Sequence, residues 1–298
     1  MSAPFSVMTF NIRTSLANDG RHNWAHRKDL VARTILDHDP DLLGIQEPTV
    51  LQWSDVEGAL APTRQGVSHN RQDEHGKEPH LQGGFVRRAR YEVVEDGCFW
   101  YSDTPDVPGS VSFPLHWGAR TCGWMRLKDR LVGRELVFAV THFDTHEDSW
   151  LPSAKVLGTE LVRHAAGAPI VVVGDFNCAA GSPAWTHLTR EAGFRDAWTE
   201  AGLADAGVLT YNAFQPDRAI PLDDPATTKA WLDRMHGSVP QFAHYTGHIL
   251  AHGNYRIDWI LLHGGVRSLG VEVDYRTVGG LLPSDHYPLI ASLEWEVP

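Results

Sequence analysis

Apolar runs that stop on a polar residue recur along this chain, and they constrain its fold more than any other feature. FSVMTF runs into Asn11, DLLGIQ into Glu47, and ELVFAVT into His142. IVVVG runs into Asp175 and, two residues on, Asn177. Asp258 lies inside YRIDWILL, and Asp285 with His286 precedes the final apolar run, Leu289 to Trp295. Apolar runs this short, bounded by turn-forming residues, read as buried strands. Each therefore delivers a polar group to a place where a sheet meets solvent, on a rigid base.

Helical patterns separate the strands. Trp24 to Asp37 carries Leu30, Val31, Ile35 and Leu36 on one stripe, with Asn23 placed to cap it and Pro40 to stop it. Pro48 to Leu60 suits a helix with proline in its first turn. Ser153 to Ala165 and Pro183 to Ala192 follow, the latter capped by Ser182. Residues 61–82 read as an exposed polar loop, and Gly84 to Val94 as one strand. Strands are also expected at Arg120 to Leu127 and Val271 to Arg276. Leu203 to Asn254 holds four prolines around a short helical piece, Thr227 to Met235, and reads as a long surface excursion. Strands interspersed with helices, without a repeat or linker, favour one α/β domain.

With 298 residues, 42% of them hydrophobic, the chain can bury a large core. Its net charge of −11 opposes tight non-specific binding to nucleic acid, unless a metal ion or local arginines reverse the sign in a cleft. Three cysteines without a Cys-x-x-Cys offer neither a disulfide framework nor a zinc knuckle. No apolar run reaches the ~18 residues of a membrane span, and a cytoplasmic location is expected.

Carboxylates and carboxamides at strand ends are hard oxygen ligands, suited to Mg²⁺ or Mn²⁺ rather than zinc. A cation held by one or two carboxylates keeps positions open for a phosphate oxygen, and nearby histidines can move protons. Each residue also has a plainer reading. Asp175 and Asn177 could form an Asx turn, and Glu47 could complement a helix dipole. His142 is one of 17 histidines. Asp285-His286 could cap a strand, and Asp258 could pair structurally with Arg256 or Arg276.

Taken together, MTFNIR (8–13), GIQEP (44–48), FWYSDTPDVPGS (99–110), THFD (141–144), GDFN (174–177), RIDWILL (256–262) and PSDHYPL (283–289) resemble the endonuclease/exonuclease/phosphatase superfamily, in its order and over nearly the whole chain. The resemblance implies an α/β (α+β) four-layer sandwich, two mixed β-sheets packed face to face with helices outside. The domain would span residues 1–298, with an insertion at about 215–254. It also implies roles. Glu47 would be the main metal ligand with Asn11 beside it, and Asp285 would help hold the ion. Asp175 would orient or deprotonate water, and Asn177 would hold a phosphate oxygen. His286, oriented by Asp258, would bind phosphate or act as base, and His142 would stabilise phosphate or act as acid. Arg120 would contact phosphate, with a structural ion pair as the alternative.

Two features depart from the family pattern. Many relatives place a Gly-Glu pair before the strand at 84–88, where GKEPHLQGGF stands here, leaving Glu78, His80 or Gln82 to substitute. About forty extra residues separate TYNAF (210–214) from Arg256, either walling the pocket or decorating the surface. The expected protein is a Mg²⁺- or Mn²⁺-dependent phosphoesterase acting on nucleic acid or a small phosphorylated molecule or lipid. The alternative is a catalytically inactive binding protein on the same fold. A dinuclear calcineurin-like metallophosphatase fits poorly, because Cys178 follows Asn177 where that family needs His. Oligomeric state has no signature in the sequence.

Overall fold

The apolar runs become the central strands of two sheets. The computed structural model describes residues 3–71, 80–236 and 245–296. The first sheet is built from β1 (Phe5–Asn11), β2 (Leu42–Gln46), β3 (Arg64–Asn70), β4 (Leu81–Arg87), β11 (Val266–Val273) and β12 (Leu289–Trp295), in the order β11-β12-β1-β2-β4-β3. The second is built from β5 (Tyr91–Trp100), β6 (Thr121–Asp129), β7 (Arg134–His142), β8 (Ile170–Asp175), β9 (Arg195–Asp196) and β10 (Asp258–His263), in the order β5-β6-β7-β8-β10-β9. Both sheets are mixed, since β1–β2 and β7–β8 are parallel and the remaining pairs antiparallel.

Side-chain alternation explains the unbroken apolar runs. In β8, Val171 and Val173 point between the sheets, while Ile170 and Val172 join the layer behind. A strand covered on both faces has no polar side to alternate. Outside the first sheet lie α1 (Trp24–His38) and α2 (Val50–Leu60), packing on Met8, Phe10, Leu43 and Ile45. Outside the second lies α3 (Glu147–Ala165), presenting Trp150, Ala154, Leu157 and Leu161. The expected four-layer sandwich is the observed architecture.

Several boundaries differ from expectation for physical reasons. Pro48 precedes α2 rather than opening it, because Thr49 caps the helix in a reciprocal box with Gln52. Residues 64–70, expected in a loop, form an edge strand whose half-exposed residues carry no apolar run. The single strand expected over 84–94 is two, parted by a turn at 88–90 where the chain changes sheets. Helix α3 starts at Glu147, with two acidic residues in its first turn and Pro152 inside. Ser182 caps α4 (Pro183–Thr186) as expected, but the helix stops early in a single π turn over 187–191. β11 begins at Val266 because its antiparallel register with β12 runs from Val266 opposite Trp295 to Val273 opposite Leu289.

The long excursion does more than cover the surface. After the short helix α5 (Ala197–Glu200) it forms α6 (Pro225–His236) and α7 (Tyr245–His252). Trp231, Leu232, Met235 and Ile249 are buried in one core cluster with Tyr211 and Tyr255.

Candidate active site

The topology gathers the strand-end residues. β1 and β2 run parallel and end together at Asn11 and Gln46, with Glu47 just beyond. β7 and β8 also run parallel, pairing His142 with Asp175. Antiparallel β10 starts at Asp258, opposite Asp175. The segment before β12 brings in Asp285 and His286. These are central strands of both sheets, so the site stands at one end of the sandwich on its most rigid elements.

Asp175 is the hub. Its Oδ2 accepts the Asn11 side-chain amide at 3.0 Å, with His142 Nε2 at 3.4 Å and His286 Nε2 at 3.6 Å. Its Oδ1 accepts the backbone N–H of Asn177 at 2.9 Å. Asp258 Oδ2 holds His286 Nδ1 at 2.9 Å, while its buried Oδ1 has no hydrogen-bond partner among the described residues. The structural partners considered for Asp258 are engaged elsewhere: Arg256 with Asp196 and Asp205, Arg276 with Asp274. Tyr211 packs edge-on against His286, with ring centroids 5.1 Å apart.

On the other side, Glu47 accepts Asn11 Nδ2 at 3.2 Å and the backbone N–H of Thr14 at 2.8 Å. Arg13, Glu47 and Asn177 all have positive φ, at 54°, 64° and 53°. Non-glycine residues enter this region at a cost, and such residues concentrate at functional sites. Asn11 turns its amide nitrogen toward both carboxylates and its oxygen to the N–H of Arg13, so it brackets Glu47 and Asp175. Asp285 accepts from Ser284 and has Arg13 Nε 3.5 Å away. Asn177 donates one N–H of its side-chain amide to the carbonyl of Phe143.

Burial and neighbouring charge set the protonation states. Burial raises Asp175 to about 7, with Asp258 adding to the rise. Burial opposes charge on His286, but Asp258 and then Asp175 outweigh it and lift the imidazolium to about 10. Burial, with Arg120 and Arg71 nearby, holds His142 well below the usual histidine value. Burial would raise Glu47 too, but Arg13, His142 and the Thr14 N–H keep it below the ordinary carboxylate range. Burial raises Asp285. The cluster is thus a neutral histidine, a cationic histidine and several carboxylates around one point.

These groups line a cleft of about 320 Å³, walled by Trp117, Tyr211, Tyr255 and Ile257 and carrying Arg13, Arg71 and Arg120. Arg13 is paired with Asp19 and Asp285, and Arg120 with Asp144. Arg120 is buried with Nε on Asp144 at 3.2 Å. Of the residues considered as substitutes for the family glutamate, Glu78 lies outside the described residues. Gln82 is buried in β4, and His80 lines the cleft with Nε2 2.9 Å from Thr14 Oγ1. His142 Nδ1 is buried without a hydrogen-bond partner among the described residues, so no described carboxylate holds that nitrogen, and Asp175 stands at Nε2 instead. Between 212 and 254 no described residue lines the cleft; Tyr211 and Tyr255, at the two roots of the excursion, do.

Oxygen donors of this kind fit a hard divalent cation. The ligand atoms of Asp175, Asp258 and His286 lie within 4.8 Å of one another, but an imidazolium held protonated by Asp258 has no lone pair for an ion. Glu47 and Asp285 provide a second carboxylate pair, near enough for Glu47 to raise Asp285.

Two residues went unread in the sequence. Arg27, buried in α1, donates to the carbonyls of Ile12, Arg13 and Pro283, so it ties the exit of β1 to the segment bearing Asp285. Its signal was present: Trp24, Arg27, Val31 and Ile35 share the buried stripe. The fully buried Asp144 side chain accepts the N–H groups of His116, Trp117 and His146 in addition to Arg120. It ends the THFD motif, but three of its partners lie 24 to 28 residues upstream.

Known proteins share this family and fold. The model of the Endonuclease/Exonuclease/phosphatase family matches residues 8–286. A family protein from Bacteroides thetaiotaomicron superposes with TM-score 0.81 at 23% identity, covering 100% of this chain and 97% of that one. One from Bacteroides vulgatus gives 0.78 at 27%, covering 99% and 100%. The Bacteroides thetaiotaomicron mannosyl-6-phosphatase gives 0.77 at 23%, covering 97% and 99%. Among curated proteins none matches the chain. With a family match over nearly its full length, the chain belongs to the endonuclease/exonuclease/phosphatase family.

Proposed function

We propose that this protein is a divalent-metal-dependent phosphoesterase that hydrolyses a small phosphorylated molecule. One observation carries the reading: Asp175 stands between His142, His286 and the Asn11-bracketed Glu47, all facing one arginine-lined cleft. In this reading Asp175 accepts the proton of the attacking water. His286, kept cationic by Asp258, cannot serve as base near neutral pH; it donates to the phosphoryl or leaving oxygen. Neutral His142, Asn177 and Arg120 bind the remaining phosphate oxygens. Glu47 and Asp285, with Asn11 beside them, would hold Mg²⁺ or Mn²⁺, and the ion would neutralise developing charge on the phosphoryl group.

Three arginines favour a dianionic phosphomonoester over a diester, and the protein's −11 charge disfavours long polyanions. Similarity to a protein described as a mannosyl-6-phosphatase is consistent with that preference. No described helix is long and apolar enough to cross a membrane. The test is hydrolysis of hexose phosphates, nucleoside monophosphates, p-nitrophenyl phosphate, its bis-ester, and single-stranded DNA, each with Mg²⁺, Mn²⁺ or EDTA. Asp175→Asn is the control. Monoester turnover that EDTA and Asp175→Asn both abolish is the expected result. Equal turnover by the variant would sink the assignment, and a preference for DNA would sink the small-molecule reading.

A further inference from the structure

One aromatic side chain at the mouth of the cleft has no structural task that explains its placement. Trp117 lines the cleft and is 50% exposed, whereas tryptophans such as Trp124, Trp150 and Trp259 are buried. No ring of a described residue packs on it. Yet the indole is fixed: Nε1 donates to Thr145 Oγ1 at 2.9 Å, and its backbone N–H donates to the buried Asp144 carboxylate at 3.1 Å. The neighbouring N–H of His116 donates to the other oxygen of Asp144 at 2.7 Å, and His116 Nδ1 stands 2.9 Å from Thr145 Oγ1. An exposed aromatic face held rigid in this way binds a ring with little loss of side-chain freedom.

The same carboxylate holds Arg120 through Nε, so one buried group fixes both the exposed indole and a cleft arginine. Asp144 itself is anchored, since its backbone carbonyl accepts Trp150 Nε1 and its Oδ1 accepts the His146 N–H. Ile257 and Tyr255 line the same cleft, so it offers apolar surface as well as arginines.

We propose that Trp117 is the specificity-determining residue of this site, its indole face stacking on the ring of a phosphorylated ring compound whose phosphate Arg120 receives, with Asp144 as the positioning residue for both. The inference rests on the phosphoesterase reading and adds to it the class of substrate, a phosphate ester of a ring-bearing alcohol. A pyranose and a nucleoside both offer such a face, and the two are separated by assay.

Steady-state kinetics with Mg²⁺ would compare the wild type with Trp117→Ala and Trp117→Phe on a hexose 6-phosphate, a nucleoside 5′-monophosphate and the ringless glycerol 3-phosphate. Trp117→Ala is expected to lower kcat/KM for the preferred ring substrate about tenfold or more, mainly through KM, as loss of a stacking partner does. The ringless ester should lose less than about threefold, and Trp117→Phe should recover part of the loss. Asp144→Asn should weaken all three substrates, because Arg120 loses its anchor as well. Binding of the same compounds to Asp175→Asn, with and without Trp117→Ala, is read by calorimetry in parallel. Ring-selective binding that needs Trp117, without turnover in the wild type, would support the wall and sink the phosphoesterase reading. Turnover with equal losses for ringed and ringless esters would overturn the proposal and leave the phosphoesterase standing. No binding and no ring-selective turnover across the panel overturns it too.

Discussion

Asp258 and Asp175 are both buried carboxylates, and the residues around them give them different tasks. Asp258 spends one oxygen on His286, whereas Asp175 collects Asn11, the Asn177 N–H and both histidines. If Asp175 must be ionised and His286 protonated, activity rises with pH through about 7 and falls toward about 10. Asp258→Asn removes the negative charge that raises both groups. The sign is therefore the same on both limbs: each should move to lower pH, with kcat lower by about a hundredfold. A kcat/KM profile from pH 5 to 11 checks this, and an unmoved alkaline limb would separate Asp258 from His286. The residue types of this site were legible because each ends or enters an apolar run. The residues around Asp258 left its partner open between Arg256 and Arg276, whereas the family resemblance implied His286, and the fold puts that ring 2.9 Å away.

At the scale of elements, close approach of backbones sets the geometry. A Cβ on Gly174 would stand 2.1 Å from the Thr141 carbonyl oxygen and 2.7 Å from Thr141 Cγ2. Gly174→Ala should therefore force β7 and β8 apart where His142 faces Asp175. The expected cost is about 1–3 kcal/mol, read from urea unfolding, together with loss of turnover out of proportion to stability. Arg27 works between elements rather than within one. Arg27→Met would leave the carbonyls of Ile12 and Pro283 without this donor, while that of Arg13 keeps Gln52 Nε2. It should destabilise by about 3 kcal/mol and lower kcat by loosening the loops that hold Asn11 and Asp285. A variant as stable and active as the wild type would remove Arg27 from that role. Strands with apolar runs were legible to within a few residues. The edge strand at 64–70 was not, since half-exposed polar residues carry no period of burial.

For the whole molecule, the site concentrates negative charge from two sheets at one end of the sandwich. A divalent cation that binds the folded state alone must stabilise it by mass action. Millimolar Mg²⁺ or Mn²⁺ should therefore raise Tm. Glu47→Gln should largely abolish the rise, and a rise of equal size in that variant would place the ion elsewhere. The sequence by itself determined which segments are buried strands, which polar residues end them and what hard-oxygen chemistry those residues can support, because burial period and donor type are local properties. Tertiary structure alone decided that strand ends from two separate sheets meet at Asp175, that Asp144 carries both Arg120 and Trp117, and that Trp231, Leu232, Met235 and Ile249 pack into the core. Those are contacts between residues far apart in the chain, and nothing in the spacing of either partner encodes the distance between them until the sheets have packed.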